Sequence, residues 1–221
     1  VNDKPVLALS SALFSYTEMT GKQYVDATLT VTDPDTDTLS MASVQISGGY
    51  ESGKDVLSCE TDPATLPVDG TSYGLSQSWN ATTGTLTVST SGTAPLSVWE
   101  TILRGVQYEN PSQHPASEIR TFTFKAYDGS DWSDEETRQM TFITINEKPV
   151  IALSQTLRTY NEQDAPAPVI YMDVDAGLTV TDVDTSQMDS AMVKVAVGHE
   201  AHKDFLRFTD TSTITGSFDA A

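Results

Sequence analysis

Two aspartates separated by a single residue occur twice in the chain. Asp33 and Asp35, and later Asp182 and Asp184, each follow the residues Leu-Thr-Val-Thr. In an extended strand, residues i and i+2 point to the same side, so the two carboxylates of a pair lie together and repel. A hard cation removes this repulsion, and Ca²⁺ accepts roughly six to eight oxygen ligands in flexible geometry. Each pair therefore predicts a calcium-binding position.

An EF-hand loop is the first alternative for these acids. Asp33, Asp35 and Asp37 occupy its loop positions one, three and five, but such a loop also requires glycine at position six and glutamate at position twelve. This chain has Thr38 and Val44 there. The EF-hand is therefore excluded.

Catalytic motifs are weak in this sequence. Residues 70–74 match the Gly-x-Ser-x-Gly nucleophile elbow, but that motif must follow a strand and open a helix. Here it lies between a turn-rich stretch and a further strand pattern. His114, His199 and His202 lack a clustered third ligand, so we interpret them as surface residues. We predict that the protein is not an enzyme.

The linker before the first aspartate pair is also repeated. Asn2-Asp3-Lys4-Pro5 returns 144 residues later as Asn146-Glu147-Lys148-Pro149. The aspartate pair returns 149 residues later, after a short insertion in the second copy. The repetition predicts two domains: repeat one, residues 1–145, and repeat two, residues 146–221, which ends about halfway through the pattern. We expect the missing half of repeat two to come either from further chain or from a neighbouring copy.

Short runs of apolar residues alternate with polar ones at the period of a β-strand. The apolar positions of these runs are Leu29 and Val31; Ala42, Val44 and Ile46; Leu86 and Val88; Phe122, Phe124 and Ala126; and Met140 and Phe142. One segment differs, because Pro95 to Gly105 places Trp99 and its apolar neighbours at helical spacing. The pattern predicts an all-β fold, an immunoglobulin-like β-sandwich with one short helix, in which Trp99 belongs to the core.

The net charge excludes some classes of binding partner. The formal net charge of −19 opposes binding to nucleic acid or to anionic membranes. No apolar stretch approaches the ~20 residues of a membrane span, so we expect no membrane insertion in this segment. Cys59 is the only cysteine, which excludes an internal disulfide. Because Val1 is not an initiator methionine, we expect a piece of a longer protein.

At the level of motifs, the chain resembles the cadherin-like repeats of animal adhesion receptors and of very large surface proteins of bacteria and protists. The repeated Asn-Asp/Glu-Lys-Pro linker, the Asp-x-Asp pairs, and Glu18 with its counterpart Glu162 match short motifs of that family. The stretch from Gly84 to Asn110 is similar to repeats of chondroitin-sulfate-proteoglycan type. The resemblance implies tandem β-sandwich repeats with calcium between them.

Carried over to this chain, the resemblance implies two metal positions. The complete one lies at the junction of the two repeats, and the other is half of a similar site at the outer end of repeat one. The junction ligands would be Glu18, Asn146, Glu147, Asp182 and Asp184, and the outer ligands would be Asn2, Asp3, Asp33, Asp35 and Asp128.

The function implied is mechanical. We expect a calcium-stiffened repeat segment of a long extracellular or cell-surface protein, serving cell adhesion or forming a structural subunit of a surface filament. Its expected partners are further repeats of the same chain or neighbouring copies, and also surface glycans or an adhesion partner. Asn80-Ala81-Thr82 is a glycosylation sequon, which predicts a glycoprotein.

A carbohydrate-binding accessory module of a secreted protein is the alternative function. It requires exposed aromatic side chains that stack on sugars. Trp132, in Gly129-Ser130-Asp131-Trp132, is the residue whose exposure would favour this alternative.

Overall fold

A computed structural model describes residues 1–60, 62, 72–116, 118–154, 159–160, 171–201 and 203–219. The described residues form thirteen strands and one helix: β1 Val6–Ala8, β2 Phe14–Thr17, β3 Gln23–Tyr24, β4 Thr30–Thr32, β5 Thr38–Gly48, β6 Val56–Cys59, β7 Ser76–Asn80, β8 Thr85–Pro95, α1 Leu96–Arg104, β9 Val106–Glu109, β10 Arg120–Tyr127, β11 Glu136–Ile143, β12 Val150–Ala152 and β13 Thr179–Thr181. No helix in this described part has the length and hydrophobicity of a membrane span.

Repeat one is built from two main sheets. One has six strands in the order β2-β11-β10-β5-β8-β7, and the other has three in the order β3-β9-β6. A further short pair joins β1 to β4. Neighbouring strands run antiparallel except β2 and β11, which are parallel. The predicted all-β fold with one helix is confirmed.

The alternating apolar residues of the long strands fill the core. Ala42 of β5 lies opposite Val88 of β8, and Val44 lies opposite Leu86. On the other side of β5, Val44 faces Phe124 of β10. All of these side chains are buried in one hydrophobic cluster that also takes in residues of the three-stranded sheet. The pattern of the sequence therefore predicted the inward faces of these strands correctly.

Helix α1 begins directly after Pro95 and ends at Gly105, as the sequence predicts. Its apolar stripe is buried, and the Trp99 indole donates a hydrogen bond of 3.0 Å to the Leu39 carbonyl. The helix also fixes the strand that leads to the first aspartate pair. Glu100 accepts a 3.0 Å hydrogen bond from the Val31 amide on β4.

A buried ionic network ties the two sheets together. The Arg120 Nε donates to Asp55 Oδ2 at 2.7 Å, and both side chains are fully buried. Asp55 also accepts hydrogen bonds from Tyr108 (2.5 Å) and from the Asn110 amide (2.8 Å), and the guanidinium lies 4.7 Å from the Phe142 ring centroid. Such a network is satisfied only when every member is present.

The second repeat reproduces the local geometry of the first. Val6 pairs with Thr32 across β1 and β4, and Val150 pairs with Thr181 across β12 and β13. These positions are related by the two offsets found in the sequence, 144 and 149 residues. The repeat found in the sequence is therefore also a repeat of local structure.

The two copies of this strand pair differ in how deeply their central residues are buried. Leu7 and Val31 at the centre of the first pair are both 3% exposed, whereas their counterparts Ile151 and Val180 are 59% and 42% exposed. Residues 187–197, which correspond to β5, form no strand. In repeat one β5 lies between β8 and β10, whereas the strands in the described part of repeat two are β12 and β13, the counterparts of β1 and β4.

The chain divides into two compact units, Val1–Asp184 and Thr185–Ala221. The first contains the sandwich of repeat one together with β12 and β13. The second holds the remaining residues of repeat two. The domain boundary at residue 145 stays a prediction.

Replacing Arg120 with alanine tests the buried network. Without the guanidinium, the Asp55 carboxylate is left charged and unpaired in the core, which should lower the free energy of unfolding by about 3–5 kcal/mol. Urea denaturation measures the change. Lys125→Ala, which removes an ion pair of 3.4 Å to Glu135 at the surface, is the matched control and should cost less than about 1 kcal/mol. Equal losses in the two variants would contradict the role of Arg120.

Candidate functional site

Glu18 lies where repeat one ends. Its amide donates to the Ile143 carbonyl at 3.0 Å, which continues the pairing of β2 with β11 by one residue. Its Oε2 accepts a 3.0 Å hydrogen bond from the Ile145 amide at the start of the linker. The residue is only 1% exposed, and its Oε1 is enclosed without a hydrogen-bond partner.

Hydrogen bonds from backbone amides to carboxylate oxygens connect the linker with the second aspartate pair. The Glu147 amide donates to Asp184 Oδ2 at 2.6 Å, and the Asp184 amide donates to Asp182 Oδ1 at 2.9 Å. The Asn146 side chain donates to the Glu147 carbonyl at 2.8 Å. The structure thus brings the predicted linker residues together with the predicted pair.

The electrostatics show that the acids crowd one another. Desolvation raises the pKa of Glu147 above its usual value, and the neighbouring carboxylates of Asp184 and Glu18 raise it further. Its Oε2 is enclosed without a donor. Because Glu18 belongs to repeat one and Asp184 to repeat two, the mutual effect places acids from both sides of the linker in one neighbourhood.

The outer end of repeat one repeats this arrangement. The Asp3 amide donates to Asp35 Oδ2 at 3.2 Å, and the Asp35 amide donates to Asp33 Oδ1 at 3.1 Å. Burial raises the pKa of Asp33, and the adjacent Asp35 adds to this effect. Asp33 Oδ2 is enclosed without a partner. Each contact has its counterpart at the junction, at the sequence offsets of the repeat.

Asn2 lies between two further acids at the outer end. Its amide nitrogen donates to Asp128 Oδ2 at 2.9 Å and to Asp131 Oδ2 at 3.1 Å. Burial pushes the pKa of Asp128 upward, but this amide and the Ser130 and Asp131 backbone amides more than offset burial and lower the pKa. Asp128 is therefore already satisfied by donors, unlike Asp33.

Carboxylate oxygens without a hydrogen-bond partner, at the junction and at the outer end, favour binding of Ca²⁺. Among the described residues, the enclosed side-chain oxygen and nitrogen atoms without a hydrogen-bond partner are Glu18 Oε1, Asp33 Oδ2 and Glu147 Oε2. All three are carboxylate oxygens of residues that the sequence predicts as ligands. Hard oxygen donors of this kind are the ligands that calcium takes in proteins.

The acidic side chains of the described residues do not yet surround a common point. Within these residues, no three aspartate, glutamate, histidine or cysteine side chains are arranged so that they could hold one metal ion as they stand. The metal site is therefore an expectation that the unsatisfied oxygens favour, and closing it requires rotation of side chains.

Sequence reasoning missed three residues near these acids. Asp131 shares the Asn2 amide with Asp128, and its spacing of three residues from Asp128 in a turn was the available signal. Gln113 borders the same cavity as Glu147, and the His114 ring nitrogen lies 3.9 Å from an Asp184 oxygen. No local pattern in the sequence indicated these two contacts.

The other motifs play no part in this site. The part of the Gly-x-Ser-x-Gly match that the structure describes, residues 72–74, leads into a strand and not into a helix. Gly70, Thr71, Glu162 and His202 lie outside the described residues.

Trp132 and Asn80, the two surface positions that the sequence indicates, both lie at least partly exposed. Trp132 is 36% exposed, but its ring packs 5.1 Å from that of Tyr127, with the Lys125 ammonium 5.5 Å away. Asn80 is exposed at the end of β7, where its side-chain Oδ1 accepts a 2.9 Å hydrogen bond from the Thr82 amide. Glycosylation and carbohydrate binding stay predictions.

Comparison with known proteins gives one informative similarity. No protein-family model matches the chain. The chain is 35% identical over 108 residues to Halomucin from Haloquadratum walsbyi (strain DSM 16790 / HBSQ001), which covers 48% of this chain. The same stretch is only 1% of Halomucin, so the chain spans a very small part of that relative.

The raised pKa of Glu147 gives a test in metal-free buffer. A raised pKa means that the folded protein holds this proton more tightly than the unfolded chain. Its stabilising effect is therefore complete in acid, below the ordinary glutamate pKa of about 4.3, and is lost as the pH rises through the raised value. Glu147→Gln should raise the thermal unfolding midpoint at neutral pH, and the gain should vanish in acid.

Glu136→Gln, at an exposed position, is the control for this measurement and should leave the midpoint nearly unchanged. Calorimetry in chelator measures both variants. A neutral-pH midpoint for Glu147→Gln at or below that of the wild type would show that the ionised carboxylate is not under electrostatic strain.

Proposed function

We propose that the chain is a calcium-stiffened repeat segment of a long extracellular protein, which serves cell adhesion or forms a structural subunit of a surface filament. The observation that carries this proposal is the set of enclosed, unpartnered oxygens on Glu18, Asp33 and Glu147. Two of the three lie at the junction, one on repeat one and one on the linker. Function is then mechanical, because the site joins modules and transforms no substrate.

The mechanism follows from charge. Without a cation, Glu18 of repeat one repels Glu147 and Asp184 of repeat two, so the junction bends more easily than it would with a cation bound. Bound Ca²⁺ would supply a positive centre that these oxygens share. Residues from both repeats and the linker would then be fixed to one point, and the junction would become stiff.

The extracellular location is supported by the comparison. Halomucin is a large surface protein, and the matching 108 residues are only 1% of its length. A repeat segment within a very long surface protein fits that relationship. The cadherin-like character of the repeats is part of the proposal, and it rests on the linker and Asp-x-Asp motifs together with the geometry that they adopt.

The experiment combines calcium titration with small-angle X-ray scattering of the 221-residue chain. Asp182→Ala removes one carboxylate of the junction. The loss should weaken calcium binding there at least tenfold, about 1.4 kcal/mol, while the unfolding midpoint in chelator stays close to that of the wild type. In scattering, calcium should reduce the spread of shapes of the wild type and have less effect on the variant.

Asp189→Ala is the matched control, because it removes the same charge from an exposed position of repeat two. It should bind calcium as the wild type does. Identical scattering of the wild type with calcium and with chelator would overturn the proposal.

A further inference from the structure

Residues 110–116, which we name the brace loop, follow β9 and are held by a series of hydrogen bonds. Asn110 at its start is buried and donates to Asp55 Oδ1 at 2.8 Å, while its own side-chain oxygen accepts from the Ser112 amide at 2.9 Å. The Ser112 hydroxyl oxygen in turn accepts a 3.1 Å hydrogen bond from the His114 amide. Each link fixes the next, so the core network anchors the loop.

A second element holds the far side of the loop. Residues 51–55 form a turn, which we name the holding turn, closed by a 2.9 Å hydrogen bond from the Asp55 amide to the Glu51 carbonyl. Lys54 of this turn donates to the His114 carbonyl at 3.1 Å. Glu51 accepts a 3.1 Å hydrogen bond from the Ala116 amide. The brace loop is thus ordered by contacts within repeat one alone.

The outer face of the brace loop meets the beginning of repeat two. Gln113 borders one cavity together with Glu147, Asp182 and their neighbours on β12 and β13. The His114 Nδ1 lies 3.9 Å from Asp184 Oδ1, which is beyond hydrogen-bond distance but close enough for polar attraction. None of these contacts requires a metal ion.

We propose that the brace loop is a second contact surface between consecutive repeats, and that it works without metal. Its amide and imidazole groups face the acidic end of the next repeat, so they limit the motion of that repeat when calcium is absent. Calcium would then stiffen a junction whose direction is already biased. The inference rests on the proposed function only for the statement that this junction is the one calcium acts on.

The holding turn belongs to the repeat and not only to this junction. In repeat two the Glu200 amide donates to Asp204 Oδ2 at 2.8 Å, as the Glu51 amide does to Asp55 Oδ2 at 2.7 Å. Lys203 pairs with Glu200 as Lys54 pairs with Glu51. Both turns are closed within five residues, by the Asp55 amide on the Glu51 carbonyl and by the Asp204 amide on the Glu200 carbonyl, so the turn is a local structure.

Hydrogen exchange of the Glu147 amide tests the brace loop, because that amide donates to Asp184, the residue that the His114 ring approaches. In chelator, the double variant Gln113→Ala/His114→Ala should exchange this amide about tenfold faster than the wild type, as expected when about 1.4 kcal/mol of local protection is lost. Amides of β10 report that the fold is intact. Gln45→Ala, which loses a 3.0 Å hydrogen bond to the Thr83 carbonyl elsewhere, is the control and should not change Glu147 exchange.

A second pair of variants avoids any change on the outer face. Lys54→Ala removes the donor to the His114 carbonyl and should also speed exchange of the Glu147 amide, whereas Lys54→Arg keeps a donor and should not. If the Glu147 amide exchanged at the wild-type rate in chelator in both the double variant and Lys54→Ala, the proposed role of the brace loop would be overturned. A missing response of the wild type to calcium would instead contradict the proposed function and leave the chelator result standing.

Discussion

Enclosing a carboxylate oxygen without a hydrogen-bond donor is unfavourable, since the group loses its hydration and gains nothing in return. This chain does so at Glu18, Asp33 and Glu147. The buried carboxylate of Asp55, in contrast, accepts hydrogen bonds from Arg120, Tyr108 and Asn110. The contrast within one molecule separates acids that stabilise the sandwich from acids with an enclosed oxygen that lacks a hydrogen-bond partner, and the proposal of a cation-dependent junction depends on that contrast.

Local structure builds the candidate site. The hydrogen bonds among Glu147, Asp182 and Asp184 match those among Asp3, Asp33 and Asp35. The central residues of the strands beside the first set are exposed, whereas those of the strands beside the second set are buried. An acid that accepts from an amide two residues later needs only a turn. This arrangement of acidic residues can therefore form independently of the sandwich of the repeat to which it belongs.

This independence explains what the sequence could predict. Motifs of three to five residues are read from local spacing, so the aspartate pairs, the linker and helix α1 between Pro95 and Gly105 were all foreseeable. The division into a six-stranded and a three-stranded sheet was not, because strand order depends on contacts between distant segments. The same applies to the Asp55–Arg120 pair and to the approach of Gln113 and His114 to the linker, which no local pattern encodes.

The most direct test of the central claim follows the side-chain carboxyl carbons of Glu18 and Glu147 by NMR during a calcium titration. If one ion is shared across the junction, the two signals shift together, saturate at the same calcium concentration and return on addition of chelator. Signals that stay fixed, or that move independently without saturation, would show that these oxygens do not share a metal ion and that the junction is not controlled by calcium.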